Sequence, residues 1–312
     1  MLTKEEFQQK LKEGFSILDG ATGSNLRNAG MPKGCCAESW ILEHPEPLVA
    51  LQRAYAEAGS KIIYAPTFQA QPIALEAVGL SKQTEKINEA LVALTRSAAP
   101  GCLIAGDITT LATFCDSWDK ASFDLLVENY RRQIRGLMEG GCDLLVGETL
   151  LYPQEAEAIL CAAELAGAGA QMYTFTMQGD GSLFSGADAG KILKELEEAG
   201  AAAVGFNCVA ADMMTPYLIT RLRRYVKGPL ICKPNAGVPT IGPDGIAHYA
   251  QTPEEFADII RQCRENGATI LGGCCGTAPE YIADIRNVES YSEKQAYRLL
   301  FAFGKKAFGY FW

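Results

Sequence analysis

Eight short apolar runs, each followed by a longer stretch patterned as an amphipathic helix, constrain this 312-residue chain more than any other feature. The runs begin near Phe15 (FSIL), Lys61 (KIIY), Cys102 (CLIA), Asp143 (DLLV), Gln171 (QMYTFT), Ala203 (AVGF), Leu230 (LICK) and Thr269 (TIL). Near-continuous apolar runs suit strands covered on both faces, as parallel strands are. Between them a 3.6-residue period runs over 46–58, 83–98, 122–140, 153–168, 187–199, 212–227 and 253–266. Pro153 and the pair Thr252-Pro253 stand where helices start, and Gly59, Gly140, Gly200 and Gly267 where they stop. Eight strand–helix alternations without a composition break predict an α/β chain folded as one (β/α)8 TIM barrel over residues 1–289. The count of eight favours a closed barrel over an open doubly wound sheet. In such a barrel the residues just after each strand line one mouth, and chemistry belongs there.

Composition removes several function classes. The net charge is -9 and no basic run of five occurs, so the clustered Lys and Arg that a phosphate backbone requires are missing. No stretch of 18 apolar residues occurs, and the opening MLTKEEFQQKLKEG is charged and helix-patterned, unlike a signal peptide. Neither a nucleic acid nor a membrane is therefore expected as a partner. The eleven cysteines are too sparse for a disulfide scaffold, and their number is odd, which points to a reducing cytoplasm. Cys102, Cys142, Cys161, Cys232 and Cys263 fall in apolar or helical patterns and read as small core hydrophobes.

Three other cysteines fall where the barrel rule puts chemistry. The sixth run leads into GFNC, ending at Cys208, and the eighth into GGCCGT, with Cys274 and Cys275 adjacent. Gly272, Gly273 and Gly276 flank the pair and let the backbone bend so that neighbouring side chains converge. Three thiolates suit Zn2+, which takes sulfur at about 2.3 Å in a tetrahedron. A structural zinc site has four protein ligands, whereas three leave one place open. A substrate thiol entering that place loses its proton and becomes a nucleophile at neutral pH. Cys35, Cys36 and Cys115 lie in loop-like stretches without matching glycines, and a passive role is expected for them.

With these motifs in view, the chain closely resembles the homocysteine S-methyltransferase family, including the homocysteine-binding barrel of cobalamin-dependent methionine synthase. The resemblance runs from about Gly14 to Asn287 and rests on DGATGS (Asp19–Ser24), EHPEPLVALQRAYAEAG (Glu43–Gly59) and APTF (Ala65–Phe68). It continues through GETLLYPQEAEAI (Gly147–Ile159), GFNC, KPNAGVP (Lys233–Pro239) and GGCCGTAPEYI. It implies that Cys208, Cys274 and Cys275 ligate zinc, that homocysteine sulfur completes the tetrahedron, and that the product is methionine. It also assigns Asp19 and Glu148 to the substrate's amino group. Both carboxylates directly follow apolar runs, where one is costly to desolvate without a cationic partner. The substrate's carboxylate would meet the backbone amides of Ala21, Thr22, Gly23 and Ser24, while Asn207 and Asn235 orient the site.

The departures concern the methyl donor. Methionine synthase barrels usually open DGAMGT where this chain has DGATGS, and carry a GPT-like turn where it reads AGDITTLATF from Ala105. The betaine-using branch has a tryptophan where Cys36 stands and a tyrosine where Gln69 stands, so its aromatic cage for a quaternary ammonium is missing. No Asp-x-His-x-x-Gly corrinoid signature occurs; the two histidines, His44 and His248, read as surface or loop residues. The expected donors are a small sulfonium or a methylcorrinoid carried by a separate protein, with the second favoured. Transfer to another small thiol or selenol, and a regulatory zinc- or thiol-binding protein without catalysis, are the competing readings. The segment 290–312 holds Phe301, Phe303, Phe308, Tyr310, Phe311 and Trp312, and is expected to pack on the barrel or to form a homodimer contact.

Overall fold

A computed structural model describes residues 1–287 except 15, 116 and 244. Six apolar runs become β1 (Ile62–Tyr64), β2 (Leu103–Thr109), β3 (Leu144–Leu150), β4 (Gln171–Phe175), β5 (Ala203–Ala210) and β6 (Leu230–Asn235). A short antiparallel hairpin follows, β7 (Thr240–Ile241) with β8 (Ala247–His248), and the last run becomes β9 (Ile270–Leu271). The main sheet is parallel throughout, in the order β1-β2-β3-β4-β5-β6-β9. The first apolar run joins its two edges: Ile17 bridges to Leu271 and Leu18 to Ile62, both in parallel. Leu18 N–H donates to Leu271 O at 2.7 Å, and Ile62 N–H to Ile17 O at 3.1 Å. The sheet thus closes on itself with eight positions around the ring, the TIM-barrel architecture expected from the alternation.

The helices stand where the period placed them, as at Pro45–Ala58, Thr84–Ala98, Lys120–Glu139, Pro153–Ala166 and Pro253–Glu265. The stretch 212–227 forms a shorter helix than its pattern covers, Thr215–Leu222. Asp212 Oδ1 accepts from Met214 N–H in a turn before it, and Arg223 reaches across to the carbonyls of Gly228 and Gly267, both at 2.7 Å, so the chain leaves the helix there.

One end of the barrel is sealed. Helix Lys4–Lys12 starts with a capping box between Thr3 and Glu6, and Phe7 is its one buried residue. Phe7 packs with the inward-facing Leu18, Ile62, Ala105, Val146, Ile231 and Ile270 in one apolar cluster. Leu2 ties the segment down by donating to Asp143 O at 2.7 Å and accepting from Ala170 N–H at 2.8 Å. A larger core fills the layer between sheet and helices. Among the described residues no helix is long and apolar enough to cross a membrane. The aromatic segment 290–312 lies outside the described residues.

Candidate metal centre and adjoining charged pocket

Two strands are bent at the open end by extra residues. The β3–β4 register shifts between Gly147 and Leu150, and the β5–β6 register between Asn207 and Ala210. Within these bulges Thr149 and Cys208 each take φ of 58°, the left-handed region that costs a non-glycine residue roughly 1–3 kcal/mol. One side chain spans both. Asn207 Oδ1 accepts from Thr149 N–H at 3.0 Å, and its Nδ2 donates to Thr149 Oγ1 at 2.6 Å and to Cys274 Sγ at 3.7 Å.

Cys208 and Cys275 meet with their sulfurs 3.8 Å apart. The three Sγ atoms of Cys208, Cys274 and Cys275 all lie within 4.8 Å of one another. The backbone of the vicinal pair is held by Cys274 N–H to Pro234 O at 2.7 Å and Cys275 N–H to Asn235 Oδ1 at 3.0 Å. A side chain on Gly273 would collide with Thr277, and one on Gly276, at φ +80°, with the Tyr249 ring, so close approach requires glycine at both. Hydrogen bonds from the Cys208 and Cys274 thiols hold the Cys275 thiol down to about 3. Donating to that cluster pushes Cys208 up. This donor set fits zinc: sulfurs about 2.3 Å from a tetrahedral ion lie about 3.8 Å apart, and three thiols leave a fourth place free.

Beside the sulfurs lies a charged pocket. Asp19, Asp107, Glu148 and Lys233 are all at least nine-tenths buried. Asp19 Oδ2 accepts from Tyr64 N–H at 2.8 Å. Lys233 Nζ stands 3.0 Å from Glu148 Oε1 and 3.9 Å from Asp19 Oδ1, and 4.9 Å from the centre of the Tyr64 ring. Burial pushes Asp19 up to about 7, against the opposing pull of Lys233 and the Tyr64 amide. Asp107 is pushed well up by burial and by the neighbouring Glu148, and Glu148 is raised by burial against Lys233. Burial works against the Lys233 ammonium, yet Glu148, Cys274 and Asp19 together hold it well above its ordinary value.

The opening loop closes this pocket on its third side. Gly20 admits the Tyr55 hydroxyl and Thr277, which a Cβ there would displace. Tyr55 Oη donates to Ala21 O at 2.8 Å, and Asn25 Nδ2 donates to the same carbonyl at 2.7 Å. The segments DGATGS, EHPEPLVALQRAYAEAG and GGCCGT therefore meet at one point. Ala21 N–H donates to Thr277 Oγ1 at 3.2 Å. Thr22, Gly23 and Ser24 form the start of helix Gly23–Asn28, where the first N–H groups have no partner within the helix.

The structure thus gathers Cys208, Cys274, Cys275, Asn207 and Asn235 around the sulfurs and sets Asp19 and Glu148 beside Lys233. Asp107, Lys233, Thr149 and Thr277 were not singled out from sequence. Asp107 and Lys233 carry the signal that marked Asp19 and Glu148, a charge inside or just after an apolar strand. Cys102, Cys142, Cys232 and Cys263 are buried and Cys161 is half-buried, while His44 and His248 are exposed. In the rim segment after Asp107, Thr110 Oγ1 and Leu111 N–H both donate to Glu155 Oε1, at 2.6 and 2.8 Å. Phe114 on the same rim is exposed.

Comparison with known proteins gives a consistent picture. The family model described as homocysteine S-methyltransferase matches residues 16–288. Methionine synthase from Mycobacterium leprae is 24% identical over an alignment of 301 positions that covers 89% of this chain and 24% of that protein. Methionine synthase from Mycobacterium tuberculosis is 24% identical over an alignment of 294 positions, covering 88% of this chain and again 24% of its own length. The chain thus spans about a quarter of the length of these relatives. The metallated form of the homocysteine methyltransferase MmuM from Escherichia coli superposes with a TM-score of 0.77 at 24% identity, covering 89% of this chain and 98% of that one. A methyltransferase from Methanosarcina mazei gives a TM-score of 0.61 at 12% identity, over 94% of this chain and all of the other. These structural likenesses speak to the barrel fold.

Proposed function

The chain belongs to the homocysteine S-methyltransferase family, and on that premise we propose that it methylates the thiol of homocysteine to give methionine, with Zn2+ held by Cys208, Cys274 and Cys275. The observation that carries this reading is the convergence of three sulfurs, all within 4.8 Å, from strand ends 66 residues apart in sequence (274 − 208). Zn2+ held by these residues would lower the pKa of an incoming thiol, so that its proton passes to solvent and the sulfur is a thiolate at neutral pH. The chain's own residues do the rest. Asn207 and Asn235 fix the sulfurs through the contacts described above. Asp19 and Glu148 take the acceptor's ammonium, and the amides of Thr22, Gly23 and Ser24 its carboxylate. The buried position of the carboxylates keeps water from competing for that ammonium. Three cysteines that must stay reduced suit a cytoplasmic setting.

The donor reading rests on two residues of this chain and on its sequence relatives. Gln69 and Cys36 replace the aromatic pair that betaine would require. A methylcorrinoid is the favoured donor, since the sequence relatives are methionine synthases of which this chain matches one part. A donor screen with homocysteine as acceptor tests this. Slow, zinc- and homocysteine-dependent demethylation of free methylcobalamin is expected, with little turnover of betaine or S-methylmethionine. Rapid saturable turnover of S-methylmethionine alone would replace the corrinoid with a sulfonium. Homocysteine binding without turnover of any donor would favour a regulatory thiol-binding protein.

A further inference from the structure

The charged pocket already contains a cation. Lys233 is 3% exposed, and its Nζ stands 3.0 Å from Glu148 and 3.9 Å from Asp19. Those are the two carboxylates assigned to the acceptor's own ammonium. The ammonium is held there by the two carboxylates and by the face of the Tyr64 ring, 4.9 Å from its centre. Its compensation of the pocket is nevertheless incomplete. Asp19 Oδ1, 3.9 Å from the ammonium, and Asp107 Oδ1 are buried and make no hydrogen bond.

An uncompensated buried carboxylate is costly. A pocket holding only Asp19 and Glu148 would therefore reject any thiol that failed to bring an ammonium. With Lys233 in place that penalty is reduced before the acceptor arrives. We infer that Lys233 is a specificity-determining residue: it lowers the advantage of an α-ammonium on the acceptor, so that the site also takes carboxylate thiols lacking an amine. The inference rests on the reading of this site as the homocysteine pocket and extends its acceptor class.

The test is calorimetric titration of the zinc-loaded full-length protein with homocysteine and with 4-sulfanylbutanoate, the same skeleton without its amino group. The readout is the ratio of the two dissociation constants, which a merely structural lysine would leave unmoved. The parent should bind both thiols, and Lys233→Met should widen the ratio in favour of homocysteine by about tenfold or more. Lys233→Arg should keep the parental ratio. Glu148→Gln, which leaves the lysine in excess, should move the ratio the other way, and it serves if Lys233→Met does not fold. Homocysteine binding with a ratio that none of these changes moves overturns this inference alone. Failure of the parent to bind homocysteine overturns the acceptor assignment with it.

Discussion

The two ends of this barrel are built from the same strands and differ in every chemical respect. At the sealed end Ala105, Val146 and Ile231 point inward against Phe7 and are completely buried. Two residues further along the same strands stand Asp107, Glu148 and Lys233, equally hidden from water but charged. Because side chains alternate along a strand, a step of two keeps the direction and changes only the depth. The apolar end gains stability from burial and needs no partner. The charged end is tolerable only because its groups compensate one another, and it leaves Asp19 Oδ1 and Asp107 Oδ1 buried without a hydrogen bond. Strain gathers at the same end: Thr149 and Cys208, the two non-glycine residues at positive φ among those described, both sit there. Stability and chemistry are thus stacked along the barrel axis.

That separation can be broken from either end. The largest effect should come from Cys274→Ser/Cys275→Ser, which should reduce zinc from about one per chain to none, measured by metal analysis, while the metal-free fold melts as the parent's does. Cys161→Ser should leave zinc content unchanged. Phe7→Ala attacks the opposite end and should lower unfolding stability by about 3–5 kcal/mol in denaturant without altering zinc affinity. Loss of zinc affinity in that variant would show that the two ends are coupled.

Finer changes sharpen the contrast. Asn207→Ala releases both strained bulges and should weaken zinc by about 10–100-fold in chelator competition, the usual scale for a residue orienting a metal ligand. Unchanged affinity would reduce Asn207 to a loop-shaping residue. Asp19→Asn should weaken homocysteine by about 1–3 kcal/mol with zinc retained. Asp19 also sets a pH signature. Burial raises it from 3.8 to about 7, so the folded chain holds a proton that the unfolded chain releases. Its contribution to stability is full below about pH 4 and is lost as pH rises through about 7. Metal-free parent protein should therefore lose more stability over that window than Asp19→Asn does, in melts taken across pH.

Much of the site could be read from the chain because its residues sit at strand ends, and strand ends are marked by where the apolar runs stop. GFNC and GGCCGT stood out for this reason, as did Asp19 and Glu148. Asp107 and Lys233 carry the same mark within LIAGDIT and LICKPN, but adjacent positions in a run do not declare which one faces the axis. The bulges at Thr149 and Cys208 have no signal at all, since neither residue favours the left-handed backbone it adopts. The engagement of the Ala21 amide by Thr277, 256 residues away, was equally out of reach.

Periodicity and punctuation act over a few residues, and they were enough to order the strands and helices, to make a closed barrel the economical arrangement, and to put three cysteines on one rim. Which groups on that rim touch depends on the stagger of strands around a closed ring and on two single-residue bulges. A shift of one residue in either would turn Cys208 or Glu148 away from the axis. The 3.0 Å contact between Lys233 and Glu148 belongs to that second kind of fact. It exists because tertiary packing excludes water around two strand ends 85 residues apart (233 − 148), where opposite charges have little choice but to pair.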